Sequence, residues 1–290
     1  MTIVLIDSDI LVYKVAYSVE TPIYVVKGGI YKRRGYAELM SKKTGFDIHK
    51  RVNIGSLSDL KKNLTQYISN ITEDITGGQH KHFITSSKVK GNFRKDVATL
   101  MPYKGNRLDL HHPFYYHRMR KILHEEYGAM LVHGQEADDQ IAIEQFKLYK
   151  EHGNYENSVI ASIDKDIRTI PGYHYNLTTR YLDFIDEEKA LKNFYKQLLY
   201  GDATDNIPGL TKVLKLKDRE EEANKLSYGK YMKKMEEDTL LFDASSCYDY
   251  IKNMYVQYGL EEEMYEIGNL LWLRRYEGQI WSEDKKKGLI

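Results

Sequence analysis

Nine carboxylates in four short strings are the residues of this chain best placed to do chemistry. They are Asp7 and Asp9 in Ile-Val-Leu-Ile-Asp-Ser-Asp, Glu136, Asp138 and Asp139 in Gly-Gln-Glu-Ala-Asp-Asp, Asp164 and Asp166 in Ser-Ile-Asp-Lys-Asp, and Asp202 and Asp205 in Gly-Asp-Ala-Thr-Asp-Asn. Each string adjoins an apolar or small-residue run, so each stands where a buried element should end and could meet the others in one cleft. Such a cleft needs cations. Hard divalent ions such as Mg²⁺ take oxygen ligands and keep several waters, which is what a site that cleaves phosphate esters requires.

Taken singly, each string has a plainer reading. Asp7 and Asp9 could cap a helix, a task that asparagine or serine performs equally well. Glu136, Asp138 and Asp139 could favour the positive end of a helix dipole, but three carboxylates within four residues repel one another, a cost that a shared cation explains most simply. Asp164 with Asp166 could form an Asx-turn, and Asp202 with Asp205 a solvated turn. One common site accounts for all four strings together. Met101-Pro102-Tyr103-Lys104-Gly105-Asn106-Arg107 is their basic counterpart. A lysine and an arginine beyond the metals can hold a phosphate and offset charge that develops in the transition state, the arginine bidentately.

The elements that must position these groups alternate in type. Residues 2–6 are a continuous apolar run that reads as a buried parallel strand, passing after Asp7 into a helix. Residues 21–53 hold eight Lys or Arg against Glu38 and Asp47 and are punctuated by Gly28, Gly29 and Gly35, which reads as an inserted basic hairpin. Residues 57–75 have helical periodicity and stop at Gly77-Gly78. Residues 82–85, 130–133 and 158–163 read as further strands, and 136–149 as a helix with acids in its first turn. Residues 93–127, basic and aromatic with breaks at Pro102, Gly105 and Pro113, read as a loop-and-helix excursion outside the core. Strands alternating with helices predict an α/β fold with a mostly parallel central sheet flanked by helices, where ligands collect beyond the carboxyl ends of the strands. After Pro208 the Lys, Glu, Leu and Tyr composition has helical spacing to residue 290.

The chain has 290 residues and a net charge of +1, and without the nine clustered acids the remainder carries +10. A basic surface around an acidic pocket suits a polyanionic partner. Twenty-five tyrosines, several beside cations as in Tyr31-Lys32-Arg33-Arg34, add faces that can stack on bases, although most tyrosines simply pack. One cysteine excludes an internal disulfide framework and suits a reducing compartment. Without a leader or a run long enough to span a bilayer, a soluble cytoplasmic protein is expected. No compact zinc spacing, Walker loop or dinucleotide fingerprint is present.

In order and type, Asp7-Ser8-Asp9, Phe93-Arg94, Tyr103-Lys104-Gly105-Asn106-Arg107, Glu136-Ala137-Asp138-Asp139, Asp164-Lys165-Asp166 and Gly201-Asp202-Ala203-Thr204-Asp205-Asn206 resemble the 5′ nucleases. That family includes phage 5′-3′ exonucleases, flap endonucleases and the 5′ nuclease domain of bacterial DNA polymerase I. The resemblance covers roughly residues 1–210, and the stand-alone phage exonucleases look most similar. It implies a PIN-like core over 1–209 that includes the basic hairpin and an arch at about 93–127, followed by a helical DNA-binding portion over 210–290. It implies two or more Mg²⁺ ions, with Mn²⁺ able to substitute: one held by Asp7, Glu136, Asp138 and Asp164, a second bound or oriented by Asp139, Asp166, Asp202 and Asp205. Lys104 and Arg107 would contact the scissile phosphate and Tyr103 would stack near a base. Arg94, Lys32, Arg33, Arg34, Lys212 and Lys215 would bind substrate. The implied activity is Mg²⁺-dependent 5′-3′ cleavage of DNA ends and 5′ flaps, and of RNA/DNA hybrids in primer removal, leaving 5′ phosphates.

Two departures stand out. Relatives carry an aspartate shortly before the Phe-Arg pair, where this chain reads Thr85-Ser86-Ser87-Lys88. Relatives also follow the Gly-Asp turn with a glycine-rich helical hairpin that grips duplex DNA, where this chain continues Ile207-Pro208-Gly209-Leu210 into a lysine-rich stretch with Lys212, Lys215 and Lys217. The first departure leaves a structure-specific DNA-binding protein with impaired catalysis as the alternative. A metal-dependent ribonuclease on the same sheet is a third reading, against which the Tyr-Lys-Gly-Asn-Arg string weighs.

Overall fold

The structure, a computed structural model, describes residues 2–87, 91–107, 111–226 and 243–281. Lys88 and parts of the expected arch and carboxy-terminal portion lie outside the described residues. A six-stranded sheet in the order β6-β5-β1-β7-β8-β9 forms the centre. β1 (Ile3–Asp7) lies between β5 (His80–Ser86) and β7 (Ser158–Ser162), parallel to both. β6 (Met130–Val132) and β8 (Gly172–Asn176) extend the parallel set, and β9 (Leu182–Ile185) closes it antiparallel.

The apolar runs of β1 and β7 follow from cover on both faces. Val4, Ile6, Val159 and Ala161 point into a cluster with α1 (Ser8–Ser18), α3 (Leu57–Asp74) and α5 (Tyr116–Tyr127). Leu5 and Ile160 point the other way, onto Ile141, Ala142 and Phe146 of α6 (Ala137–His152). The α5 helix therefore corrects the reading of 93–127 as lying outside the core. Tyr116, Met119, Ile122 and Leu123 recur at helical spacing and are buried under the sheet.

The basic stretch is more than a hairpin. β2 (Glu20–Val26) and β3 (Gly29–Tyr31) make the expected antiparallel pair, but α2 (Arg34–Thr44) follows, and β4 (His49–Ile54) returns to β2 as a third strand. Gly35, read as a breaker, sits in the first turn of α2, where glycine interrupts no established ladder.

A third cluster lies beyond β9. α7 (Glu187–Tyr200), α8 (Leu210–Leu216), α9 (Glu220–Lys225), α10 (Ala244–Gln257) and α11 (Glu261–Leu271) pack together around Phe194, Tyr248, Tyr255 and Trp272. Between α7 and α8, the two-residue strands β10 (Gly201–Asp202) and β11 (Ile207–Pro208) pair antiparallel and pin the loop between them. Gly201 has φ +70°, and a Cβ there would collide with the Ile207 carbonyl. Only glycine fits.

Candidate metal-binding active site

The acids gather at the carboxyl end of the parallel strands. Asp7 ends β1 and is 5% exposed. One carboxylate oxygen accepts the Ile10 amide at 3.1 Å, starting α1, and the other accepts the Ser162 hydroxyl at 2.8 Å from the end of β7. The Ser162 Oγ in turn accepts the Asp164 amide at 3.0 Å, and Asp164 Oδ1 accepts the Asp166 amide at 2.9 Å. Hydroxyl and amide groups thus tie three acids from two strands into one chain. Burial, then the charges of Asp9 and Asp164, push the Asp7 carboxyl up to about 7.

The neighbouring edge is built from β5 and α6. Ser86 ends β5; its amide donates to Asp9 Oδ2 at 3.0 Å and its Oγ accepts the Ala137 amide at 2.8 Å, fixing where α6 begins. Glu136 and Asp138 therefore stand at the start of α6 beside β5. Burial, followed by the charges of Glu136 and Asp139, holds the Asp138 carboxyl well above the ordinary carboxylate range.

Two motif loops close on this edge and zip together. The Lys104 amide donates to the Asp205 carbonyl at 2.8 Å, Asn106 Nδ2 to the Ala203 carbonyl at 2.8 Å, and Asn206 Nδ2 to the Pro102 carbonyl at 2.9 Å. Lys104 and Asn206 both take left-handed backbone, at φ 55° and 60°, a strain that cross-loop bonding over-determines. The Tyr103 hydroxyl stands within hydrogen-bond reach of Glu136 Oε2 at 3.0 Å and Asp205 Oδ2 at 2.8 Å. Lys104 Nζ donates to both Glu136 oxygens, at 2.6 and 2.7 Å, and lies 3.4 Å from Asp205. Arg107 pairs with Asp205 Oδ1.

The last group is Asp166 with Asp202. Burial, then the charges of Asp164 and Asp202, push the Asp166 carboxyl up to about 8. Burial opposes ionisation of Asp202 too, but hydrogen bonding from Asp166, Lys165 and the Thr204 amide wins and lowers it.

An all-oxygen donor set whose ionisation is opposed by burial and by its own members suits a hard divalent cation. As the side chains stand, no group of three or more His, Cys, Asp or Glu among the described residues is disposed to hold one. The reason is visible in the pairing: Lys104 engages Glu136, Arg107 engages Asp205, Arg120 Nη1 meets Asp9 at 2.8 Å, and Lys165 Nζ meets Asp202 at 3.1 Å. The chain's own cations lie on the acids.

No family model and no curated protein sequence matches the chain. Among solved structures, a T5 5′-exonuclease with bound zinc is 14% identical, covers 93% of this chain and 89% of its own, and has a TM-score of 0.52. This chain has a phage 5′ nuclease-like fold. A bacteriophage T5 flap endonuclease complex with DNA and metal ions is 15% identical over 93% of this chain and 99% of its own, at a TM-score of 0.47.

Within this 5′ nuclease-like fold, three residues expected at the site are engaged by other parts of the chain. Arg94, expected to bind substrate, is 1% exposed; its guanidinium holds Asp139 at 2.5 and 2.9 Å and donates to the carbonyls of Leu270 and Trp272. Asp139, expected as a metal ligand, is 0% exposed, and besides Arg94 its oxygens accept the amides of Glu136 and Arg274. Tyr103, expected to stack on a base, has its ring packed in the third cluster. Lys32, Arg33 and Arg34 lie exposed between β3 and the first turn of α2, and Lys212 and Lys215 are exposed at i and i+3 on α8. Sequence reasoning missed Ser162 and the tie that Ser86 makes to Ala137, two hydroxyls that join elements at the site; a serine at a strand end beside acids was the available signal for Ser162.

Proposed function

We propose that this chain is a divalent-metal-dependent 5′ nuclease that hydrolyses DNA from 5′ ends and 5′ flaps, leaving 5′ phosphates and acting also on RNA/DNA hybrids. The observation that carries this reading is the contact of Lys104 and Arg107 with Glu136 and Asp205 at the carboxyl edge of the sheet, two cations on the acid cleft of the kind that a phosphate needs. Asp7, Glu136, Asp138 and Asp164 would hold one ion and Asp166, Asp202 and Asp205 a second. Bound Mg²⁺, or Mn²⁺ in its place, supplies an activated water and neutralises charge at the departing oxygen.

The protein's own groups do the rest. Lys104 and Arg107, which engage Glu136 and Asp205 in this structure, would hold the non-bridging oxygens of the phosphate. The Tyr103 hydroxyl keeps Glu136 and Asp205 aligned with one another. Lys32, Arg33, Arg34, Lys212 and Lys215 attract the nucleic-acid backbone.

One observation favours the alternative, a structure-specific DNA-binding protein with impaired catalysis. β5 ends in Ser86, whose Oγ is engaged by the Ala137 amide, so the strand itself contributes no acid there. Turnover of a 5′-flap DNA with Mg²⁺ separates the two readings. Cleavage supports the nuclease, whereas tight binding without cleavage in Mg²⁺ or Mn²⁺ supports the binding protein.

A further inference from the structure

Arg94 lies between two helix ends of opposite sign. Its Nε donates to the Leu270 carbonyl at 2.8 Å and its Nη2 to the Trp272 carbonyl at 3.1 Å, satisfying carbonyls that α11 leaves open at its C-terminus. The same guanidinium grips both oxygens of Asp139 in the first turn of α6. Asp139 Oδ2 accepts the Glu136 amide at 3.1 Å, so the backbone from which Glu136 and Asp138 project is fixed through Asp139. The segment after α11 repeats the connection. The Arg274 amide donates to Asp139 Oδ1 at 3.2 Å, its Nη1 to Gln135 at 3.2 Å and its Nε to the Gln279 carbonyl at 3.1 Å, and its guanidinium lies 3.5 Å from the centre of the Phe93 ring.

The contacts of Leu270, Trp272 and Arg274 with Arg94, Asp139, Gln135 and Phe93 join residues 270–279 to the two segments that flank the acid cleft, and none of them touches the side chain of Glu136 or Asp138. We infer that the carboxy-terminal segment 270–279 completes the acid cleft, with Arg94 and Arg274 as positioning residues that set Glu136 and Asp138 through Asp139 and Gln135. This rests on the reading of those acids as ion ligands. Groups that orient ligands from behind matter nearly as much as the ligands themselves. A lysine cannot replace Arg94, because one ammonium cannot span two carboxylate oxygens and two carbonyls at once.

The test uses the full chain and three readouts: Mn²⁺ affinity by calorimetry without nucleic acid, kcat and KM on a 5′-flap DNA, and the thermal midpoint. Arg274→Ala leaves the buried Arg94–Asp139 pair in place, so it serves where Arg94→Lys fails to fold. Both variants are expected to weaken Mn²⁺ binding and lower kcat by about tenfold, the scale for lost outer-shell support, with KM unchanged. Wild-type Mn²⁺ affinity and kcat in Arg274→Ala would overturn the inference, as would activity lost only in proportion to unfolded protein. If the wild-type chain binds Mn²⁺ without cutting DNA and Arg274→Ala still weakens that binding, the nuclease reading fails and the positioning role stands. A wild-type chain that binds no Mn²⁺ overturns both.

Discussion

Lys104 Nζ sits between the two carboxylate oxygens of Glu136, at 2.6 and 2.7 Å, at a site whose proposed function requires that carboxylate to face a metal ion. The ammonium and the ion compete for the same oxygens. Burial alone would push the Lys104 ammonium down, but the charges of Glu136, Asp205 and Asp138 outweigh it and raise it. The lysine thus stays charged and available to a phosphate once an ion displaces it.

Replacing Lys104 by alanine should therefore split binding from chemistry. With the competitor gone, Mn²⁺ affinity measured without DNA should rise severalfold. Single-turnover cleavage should fall by about 10²-fold, the scale of losing one charge-stabilising donor. Unchanged metal affinity would show that the Lys104–Glu136 pair does not gate the ion.

The two acids adjacent at the start of α6 should behave differently. Asp138→Asn keeps the shape and removes an ionisable group whose charge is opposed by burial and by its neighbours, so cleavage should collapse while the thermal midpoint holds or rises. Asp139→Asn strips a fully buried Arg94 of its counter-charge, a change that costs roughly 3–5 kcal/mol in buried pairs, so it should appear first as loss of fold in a urea titration. Equal stability of the two variants would contradict the role of Asp139 as the counter-charge of Arg94.

Stability should depend on pH in a direction set by Asp7 and Asp166. Their folded values of about 7 and about 8 lie above the ordinary 3.8, so between these limits the native state binds more protons than the unfolded chain. Their contribution is present at the acid end of that interval and is lost as pH rises through it. In EDTA the thermal midpoint should fall between about pH 5 and about pH 8, and Mg²⁺ should restore it at the alkaline end while having little effect at the acid end. A midpoint that rises over this range in EDTA would contradict the crowding of these acids.

The chemistry was easier to read from the sequence than its support. Residues 2–6 announced β1 because a strand covered on both faces must be apolar throughout, and the acids that follow such runs were legible as strand-end groups. Tyr103 and Asp205, 102 residues apart, share a hydrogen bond that no local pattern encodes, so the zipping of their loops was not legible. Arg94 looked like a phosphate ligand because composition shows a cation but not the carboxylate that neutralises it. β8 and β9 gave no clear signal because they are only five and four residues long and mix polar with apolar residues, and α2 gave none because a glycine in a first turn is indistinguishable in sequence from a breaker.

The basic sheet formed by β2, β3 and β4 offers a test independent of the cleft. Reversing Lys32, Arg33 and Arg34 to glutamate should weaken DNA binding in EDTA and flatten its salt dependence by up to about three phosphate contacts. Cleavage at saturating DNA should be unchanged, since these side chains lie outside the acid cleft. An unaltered salt slope would remove them from the nucleic-acid surface.

The central claim is tested most directly by incubating the full chain with 5′-labelled DNA, as a blunt duplex and with a 5′ flap, in Mg²⁺ and then in EDTA. The proposed function predicts release of label as nucleotides or as the intact flap in Mg²⁺ and none in EDTA. Label retained in both Mg²⁺ and Mn²⁺ by a chain that binds the DNA tightly would contradict it.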